Sequence, residues 1–406
     1  MRVLLSTIGS RGDVQPQVAL GAQLKALGQE VRLCVPPDFR EWIEGLGMPV
    51  TPIGPELRST GKAGLAAAAP TPEQRRQMIE GTVATQFETI SAAAQGCDVI
   101  VGATALQVAA PSIAEKLGIP YVFAAYCPAV LPSPHHAPPV LAMLGDKPAA
   151  AAPDYSALWE QDAQRWNGTW AALLNAQRAR LGLDPVDDVR GHILTDQPWL
   201  AADPTLGPWP DPADGAVFQT GAWILPDERP LSPELEAFLA AGEPPVYFGF
   251  GSIRAPAELN RVMIETARAL GRRAIILQGW AELGLLDNEP DCISIGEVNQ
   301  QALFKRVAAV VHHGGAGTTT AATRAGAPQV AIPQHYDQHY WAGRVQQLGI
   351  GIAHTSGTPT TGSLTNALRQ ALQPELAIRA GAIAAKVRSD GALIASQRLI
   401  DLATKN

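Results

Sequence analysis

The chain has 406 residues, of which 46% are hydrophobic and 17% charged, and its formal net charge at pH 7 is −7. This length suggests about two domains, and the composition is that of a globular protein rather than a disordered or fibrous one. The negative charge, without a run of Lys or Arg, argues against a general nucleic-acid binder.

The apolar runs of the sequence are short. The amino-terminal nine residues contain too short a run for a signal peptide, and no stretch approaches the roughly 18 apolar residues of a spanning helix. We therefore expect a cytoplasmic protein without a spanning segment. Its four cysteines form no CxxC pair, so neither a zinc site nor a disulfide framework is indicated.

The first half alternates strand and helix patterns. Residues 3–7 have strand character and lead into a glycine loop at 9–13, after which Leu20, Leu24 and Leu27 share one helical face. Further strands are predicted at 30–35, 98–101 and 121–124. Repeated βαβ units of this kind imply a parallel sheet with helices on both faces.

A Pro- and Ala-rich loop at 128–153 interrupts this alternation, and loops of such length are usually functional or disordered. Beyond it, Trp159, Trp166 and Trp170 recur on one helical face. They form either a core-facing stripe or a wall for a large aromatic ligand. Four prolines between residues 204 and 216 predict the linker between two domains.

The second half repeats the α/β pattern. A strand at 245–252 runs into a glycine–serine turn, and residues 392–402 predict a final helix. Further strands are expected at 274–277, 292–295, 307–311 and 329–332.

The glycine-rich stretch 312–319 lies between the strand predicted at 307–311 and a helix predicted at 319–326. Glycines let the backbone approach an anion closely, and the N–H groups and dipole of the next helix favour negative charge. His313 and Thr318 could add side-chain donors. By itself the pattern also fits a tight turn without a ligand.

Each half thus offers a strand-to-loop turn rich in glycine and hydroxyl groups, at 9–12 in the first half and at 251–252 and 312–319 in the second. Ligands of open parallel sheets bind beyond the carboxyl ends of the strands, so two facing domains would enclose a cleft with phosphate donors. None of these loops matches GxGxxG or GxxxxGK[ST], which argues against a dehydrogenase or an NTPase.

Five motifs in this order resemble the family 1 nucleotide-sugar glycosyltransferases of the GT-B fold. They are GSRGDVQP at 9–16, GFGS at 249–252, GEVN at 296–299, HHGGAGTT at 312–319 and DQ at 337–338. Residues 114–120 and 220–235 are similar to the subgroup that glycosylates vancomycin- and teicoplanin-type aglycones. The resemblance spans essentially the whole chain, although the first motif alone is similar to that of sterol glucosyltransferases.

The resemblance implies an α/β fold with two Rossmann-like domains whose parallel sheets face each other across a cleft. We expect an amino-terminal acceptor-binding domain, a linker, a donor-binding domain and a carboxyl-terminal helix that returns to the first domain. The expected bounds are 1–203, 204–216, 217–385 and 386–406.

The resemblance also implies roles for individual residues. Asp13 would be the general base, although the residue pattern alone also fits a helix N-cap. Nucleoside contacts are expected from Trp280, Val298 and Gln301, and sugar contacts from Asp337 and Gln338. The donor diphosphate would be held by Ser10, Arg11, Gly12, Ser252, His313, Gly314, Gly315, Gly317 and Thr318.

The implied reaction is the transfer of a hexose from a UDP- or dTDP-sugar to a hydroxyl of a glycopeptide aglycone, with inversion and without a cofactor or required metal. The acceptor would lie on loops 56–76 and 128–153, including His135 and His136. A metal site at His335, Asp337 and His339 is disfavoured, because their spacing does not converge on a helix.

Other functions stay open from sequence alone. They are transfer to a sterol or macrolide, non-catalytic binding of a nucleotide sugar, and nucleotide-sugar epimerisation.

Overall fold

The computed structural model describes residues 1–58, 71–104, 106–140, 150, 152–213, 215–251, 258–280 and 282–404. Ser252 lies outside the described residues, as do the central parts of the two predicted acceptor loops, 59–70 and 141–149.

The first part of the chain forms a parallel sheet with the strand order β3-β2-β1-β4-β5-β6-β7. The strands are β1 Arg2–Thr7, β2 Glu30–Val35, β3 Val50–Pro52, β4 Val99–Ala103, β5 Tyr121–Ala125, β6 Trp199–Leu200 and β7 Phe218–Gln219. Its helices are α1 Arg11–Ala26, α2 Arg40–Gly45, α3 Pro72–Ala93, α4 Ala110–Leu117, α5 Ser156–Leu181 and α6 Val189–Leu194. Leu4 and Leu5 are buried in different clusters, because successive side chains of a strand point to opposite, helix-covered faces.

A second parallel sheet has the order β10-β9-β8-β11-β12-β13. Its strands are β8 Val246–Gly249, β9 Ala274–Leu277, β10 Cys292–Ile295, β11 Ala309–His312, β12 Gln329–Ala331 and β13 Gly351–Ala353. The helices that accompany it are α7 Pro233–Ala240, α8 Leu259–Ala269, α9 Gln300–Leu303, α10 Ala316–Arg324, α11 Gln338–Gln347, α12 Thr361–Ala371 and α13 Pro374–Ala384.

The last helix, α14 Gly391–Thr404, packs against α1 of the first half. Its Ala395 and Leu399 share one buried cluster with Val14 and Val18 of α1. A Cβ at Gly391 would collide with the carbonyl oxygen of Gly221, so the two segments of chain that pass between the sheets cross in direct backbone contact.

The edge strand β7 bears on the predicted domain bounds. Phe218 and Gln219 pair with β6 in the first sheet, so the first sheet continues beyond the predicted linker 204–216. The proline-rich stretch is a loop that precedes this edge strand rather than the point at which the chain leaves the sheet. We propose that the boundary lies after Gln219.

The two halves touch through α11. Trp341 of this helix is buried in a cluster of the first half, and Arg344 Nε donates to the carbonyl of Leu206 at 2.6 Å. An isolated antiparallel bridge joins Val140 to Tyr336, with 2.6 Å between the Tyr336 nitrogen and the Val140 oxygen. The helix that follows the predicted sugar-binding motif is therefore anchored on the opposite half.

The tryptophan stripe of α5 faces the protein. Trp159 is buried, and its indole donates to the His136 carbonyl at 2.8 Å. Trp166 and Trp170 stack on each other and pack against the first-half core. These contacts agree with a core-facing stripe. The four cysteines are buried and unpaired, as expected for reduced thiols.

Candidate active site

The glycine loop between β1 and α1 is organised around Asp13. Ser10, not Asp13, is the N-cap of α1, so the alternative reading of Asp13 as N-cap is wrong. The Asp13 Oδ2 atom instead accepts from the Ser10 N–H at 2.7 Å and from the Ser10 hydroxyl at 3.1 Å. A side chain at Gly9 would collide with this carboxylate, which explains why only glycine fits there.

Burial sets the protonation of Asp13. Desolvation raises its pKa to about 6, against the opposing effect of the two Ser10 hydrogen bonds. Tyr126 lies beside it, with its hydroxyl donating to the Asp13 carbonyl at 3.2 Å. A carboxylate with this pKa is ionised at neutral pH, yet it is more basic than an ordinary aspartate.

The second glycine loop joins β11 to α10. The helix begins at Ala316, three residues earlier than expected, because Gly315 is its N-cap. Burial and two neighbouring histidines, His312 and His335, lower the pKa of His313 to about 3. A hydrogen bond with the backbone of Gly249 opposes this fall in pKa. A neutral imidazole therefore lies just before the start of a helix.

The loop after β8 contacts His313. A Cβ at Gly251 would lie 3.3 Å from the Cε1 atom of His313. The backbone N–H of Trp280 donates to the Gly251 carbonyl at 3.0 Å. Gly251 and the buried imidazole are thus adjacent, as expected for neighbouring loops at the carboxyl end of a parallel sheet.

The DQ motif lies at the amino terminus of α11. The Trp341 indole donates to Asp337 Oδ2 at 3.0 Å. The Gln338 amide oxygen accepts from the backbone nitrogens of Gln334 at 2.8 Å and His335 at 3.3 Å. The oxygen of Gln338 is therefore already occupied, whereas Asp337 is fixed by a single side-chain donor.

The charge of Asp13 acts on a carboxyl group of the opposite half, Asp337. Burial raises the pKa of Asp337 to about 7, and the negative charge of Asp13 adds to this rise. The pKa of Tyr336 is raised by both carboxylates in addition to its burial. Asp13 and Asp337 are therefore close enough to interact across the cleft.

Arg11 joins the two halves instead of pointing freely into the cleft. Its guanidinium lies 3.6 Å from Glu297, lies 3.5 Å from the ring centroid of Trp42 and donates to Gln15 at 2.9 Å. Burial lowers its pKa. The group predicted to bind diphosphate is thus engaged with protein partners in this structure.

The other predicted contact residues also have protein neighbours. Gln301 donates to the Leu225 carbonyl at 2.8 Å, and Trp280 and Val298 pack against apolar clusters. His135 lies 3.1 Å from Asp211, and the His136 ring packs against Trp159 and Trp209. Their nucleoside and acceptor roles stay predictions.

Comparison with known proteins identifies the family. Residues 3–133 match the glycosyltransferase family 28 N-terminal domain, and residues 262–395 match the erythromycin biosynthesis protein CIII-like C-terminal domain. The glycosyltransferase GtfE of Amycolatopsis orientalis is 54% identical over 402 residues, covering 98% of this chain and 97% of the relative. The chain belongs to the GT-B glycosyltransferases.

Two further relatives of this glycosyltransferase come, like GtfE, from Amycolatopsis orientalis. The vancomycin aglycone glucosyltransferase is 51% identical, covering 100% of this chain and 98% of the relative. The dTDP-epi-vancosaminyltransferase is 45% identical, covering 94% of this chain and 92% of the relative. The crystal structure of the kitacinnamycin glycosyltransferase superposes with a TM-score of 0.75 at 18% identity, with 99% of both chains covered. The predicted family, enzyme class and fold class are confirmed.

Within the described residues of the glycosyltransferase, no group of three His, Cys, Asp or Glu side chains is arranged to hold a metal ion. Each helix in these residues is too short or too polar to cross a membrane.

Trp341 and Tyr126 are aromatic residues of the glycosyltransferase that contact predicted site residues and that sequence reasoning did not find. Trp341 holds the Asp337 carboxylate, and its position four residues later on the same helix is a signal that could have suggested the contact. Tyr126 reaches the Asp13 carbonyl from the end of β5, and no local pattern indicates that contact.

Proposed function

We propose that this glycosyltransferase transfers a hexose from a UDP- or dTDP-sugar to a hydroxyl of a glycopeptide aglycone, with inversion at the anomeric carbon. The acceptor class is supported by 51% identity to the vancomycin aglycone glucosyltransferase. The name of the 45% identical dTDP-epi-vancosaminyltransferase supports a dTDP-sugar as the alternative donor.

The observation that carries the mechanism is the buried Asp13 carboxylate, which the Ser10 N–H and hydroxyl fix in the first glycine loop. Asp13 would take the proton of the acceptor hydroxyl while that oxygen attacks the anomeric carbon of the sugar. The bond from this carbon to the diphosphate breaks, and its electron pair leaves on a phosphate oxygen. A base with a pKa of about 6 suits this role at neutral pH.

The departing diphosphate would lie at the amino terminus of α10. The first N–H groups of a helix lack intrahelical partners, and its dipole favours negative charge. His313 would bind the same group as a neutral imidazole, through a ring N–H. Donors that meet the growing charge of the leaving group lower the barrier of the reaction. Gly314, Gly315, Gly317 and Thr318 complete this part of the proposed site, and Ser252 is proposed from the sequence motif alone.

Asp337 would bind a hydroxyl of the transferred sugar. Its pKa of about 7 lets it be protonated in a large share of molecules at neutral pH, so it can donate as well as accept. Gln338 would contribute through its amide nitrogen, because its oxygen is already bound by backbone N–H groups.

The test is mass spectrometry of one vancomycin-type heptapeptide aglycone incubated with UDP-glucose, UDP-N-acetylglucosamine or a dTDP-aminosugar. One added hexose from at least one donor is expected. Parallel reactions with EDTA test the proposed independence of metal, and loss of product there would contradict it.

Matched acceptors separate the alternatives. Turnover of a sterol or macrolide without turnover of the aglycone would overturn the proposed acceptor class. Release of nucleoside diphosphate that depends on acceptor argues for transfer, whereas consumption of the donor without acceptor would indicate an epimerase. Binding of the donor with no release under any condition would leave a non-catalytic protein.

A further inference from the structure

A buried imidazole lies behind the second glycine loop. His312 is fully buried at the end of β11, next to His313. The Gly314 N–H donates to its Nδ1 at 3.0 Å, and its Nε2 lies 3.0 Å from the Gln329 amide oxygen. Because Nδ1 accepts, the ring proton is on Nε2 and is donated to Gln329. The two bonds therefore fix both the tautomer and the orientation of the ring.

The same chain of hydrogen bonds continues through α10. The Gln329 amide nitrogen donates to the Thr323 hydroxyl at 2.9 Å, and that hydroxyl donates to the Thr319 carbonyl at 2.8 Å. The Thr319 hydroxyl in turn donates to the Gly315 carbonyl at 2.9 Å. Gln329, Thr323 and Thr319 are all fully buried. This series of hydrogen bonds thus begins at Gly314 and ends at Gly315, two adjacent glycines of the loop.

This arrangement controls the backbone that precedes α10. Gly314 has a φ of +87°, a left-handed conformation in which glycine is favoured, and Gly315 is the N-cap of the helix. The bond to His312 turns the Gly314 N–H toward the protein interior, and the Thr319 hydroxyl holds the Gly315 carbonyl. With these groups held from behind, the first N–H groups of α10 keep a fixed direction.

We propose that His312 and Gln329 are positioning residues for the donor diphosphate, acting through Gly314 and Gly315 without touching the donor. The proposal rests on the proposed donor site at this loop. Burial also lowers the pKa of His312 to about 4, so the ring stays neutral and its Nδ1 keeps accepting at the pH of the reaction. A preorganised loop binds an anion without first reorganising its dipoles.

The first test compares two substitutions at one position. In His312→Asn the side-chain oxygen can replace Nδ1 as the acceptor for the Gly314 N–H. In His312→Gln the amide reaches toward the position of Nε2 and the Nδ1 acceptor is lost. We expect His312→Gln to raise the KM for the nucleotide sugar about tenfold, with kcat within about threefold, and His312→Asn to recover most of that loss.

A second pair of variants protects the test against simple loss of stability. Thr323→Val removes a fully buried hydroxyl from the chain of hydrogen bonds, whereas Thr266→Val removes a fully buried hydroxyl of α8, which donates to the Thr361 carbonyl. Melting temperatures are measured for both. We expect weaker binding of UDP and dTDP, measured by calorimetry, for Thr323→Val only.

The outcomes separate the two proposals. If wild type binds neither UDP nor dTDP, the proposed donor site fails and the positioning role fails with it. If wild type binds one of them and Thr323→Val binds it within twofold of wild type, the donor site stands and the positioning role is overturned. Equal donor KM values for His312→Asn and His312→Gln would also overturn it.

Discussion

The two glycine loops, one after β1 and one after β11, share a local architecture but differ in what they do with it. Each joins a parallel strand to a helix, with an N-cap at Ser10 or at Gly315. In the first loop the helix supplies its own anion, because Asp13 folds back onto the Ser10 N–H and hydroxyl. In the second, no acidic residue occupies the first turn of α10.

This difference explains how one type of turn can serve two purposes. A helix amino terminus attracts negative charge, whether the charge belongs to the protein or to a ligand. When the charge is a side chain of the same turn, the result is a fixed and partly desolvated carboxylate that can act as a base. When the turn lacks such a side chain, its N–H groups are left for an external anion. The donors of Ser10, expected to bind diphosphate, are in this structure bound to Asp13.

The largest expected effect separates the two loops by function. Asp13→Asn removes the base but leaves the loop after β11 unchanged, so we expect the transfer rate to fall by ~10²–10⁴-fold. The dissociation constant for UDP or dTDP, measured by calorimetry, should stay within about threefold of wild type. A parallel loss of nucleotide binding would instead put Asp13 in the diphosphate site.

The reciprocal substitution is His313→Ala. It removes a donor proposed to meet the leaving diphosphate, and loss of one such donor typically costs ~10²-fold in rate. We expect kcat/KM for the nucleotide sugar to fall by about this factor, together with weaker nucleotide binding. If only the KM of the acceptor changed, His313 would belong to the acceptor side of the cleft.

Local patterns in the sequence predicted most of the strands that the structure describes, because short apolar runs that end at glycine reflect the backbone directly. They predicted fewer of its helices, and α3, α12 and α13 were among those without a prediction. The start of α10 was wrong by three residues, since Gly315 caps the helix without the hydroxyl group that usually indicates an N-cap. The strand expected at 307–311 begins at Ala309. The edge strand β7 was not expected, because its two residues are too few to show an apolar pattern.

The site was predictable as a set of motifs but not as a set of contacts. The family resemblance named Asp13, His313 and Asp337, because each stands in one of the motifs on which that resemblance rests. The coupling of Asp13 to Asp337 depends on how two sheets pack, as does the contact of Arg11 with Glu297. No local pattern encodes either distance.

The pH dependence should distinguish the loops by a smaller effect. The pKa of Asp13 is raised to about 6, so its ionised, basic form is lost as the pH falls through that value. We therefore expect kcat/KM at pH 5 to be about tenfold below its value at pH 7. His313 has a pKa of about 3 and stays neutral throughout this range, so it should add no pH dependence to binding of the nucleotide sugar, whose diphosphate does not titrate here. Asp337, with a pKa of about 7, is also protonated as the pH falls, so the profile is measured for Asp337→Asn as well. If kcat/KM and donor affinity fell together at low pH, the loss of activity would belong to the donor site and not to Asp13.

The smallest expected effect concerns Arg11, whose predicted role in diphosphate binding competes with its contact to Glu297 across the cleft. The ion pair is 3.6 Å long, and the two side chains are 30% and 73% exposed, so solvent and salt screen it strongly. We expect Glu297→Gln to change the KM for the nucleotide sugar by less than about twofold.

Arg11→Gln removes the same ion pair together with any contact to the donor. If its effect is equally small, Arg11 serves only to join the halves. If it alone weakens donor binding about tenfold, and the loss shrinks at high salt, Arg11 leaves Glu297 for the diphosphate when the donor binds.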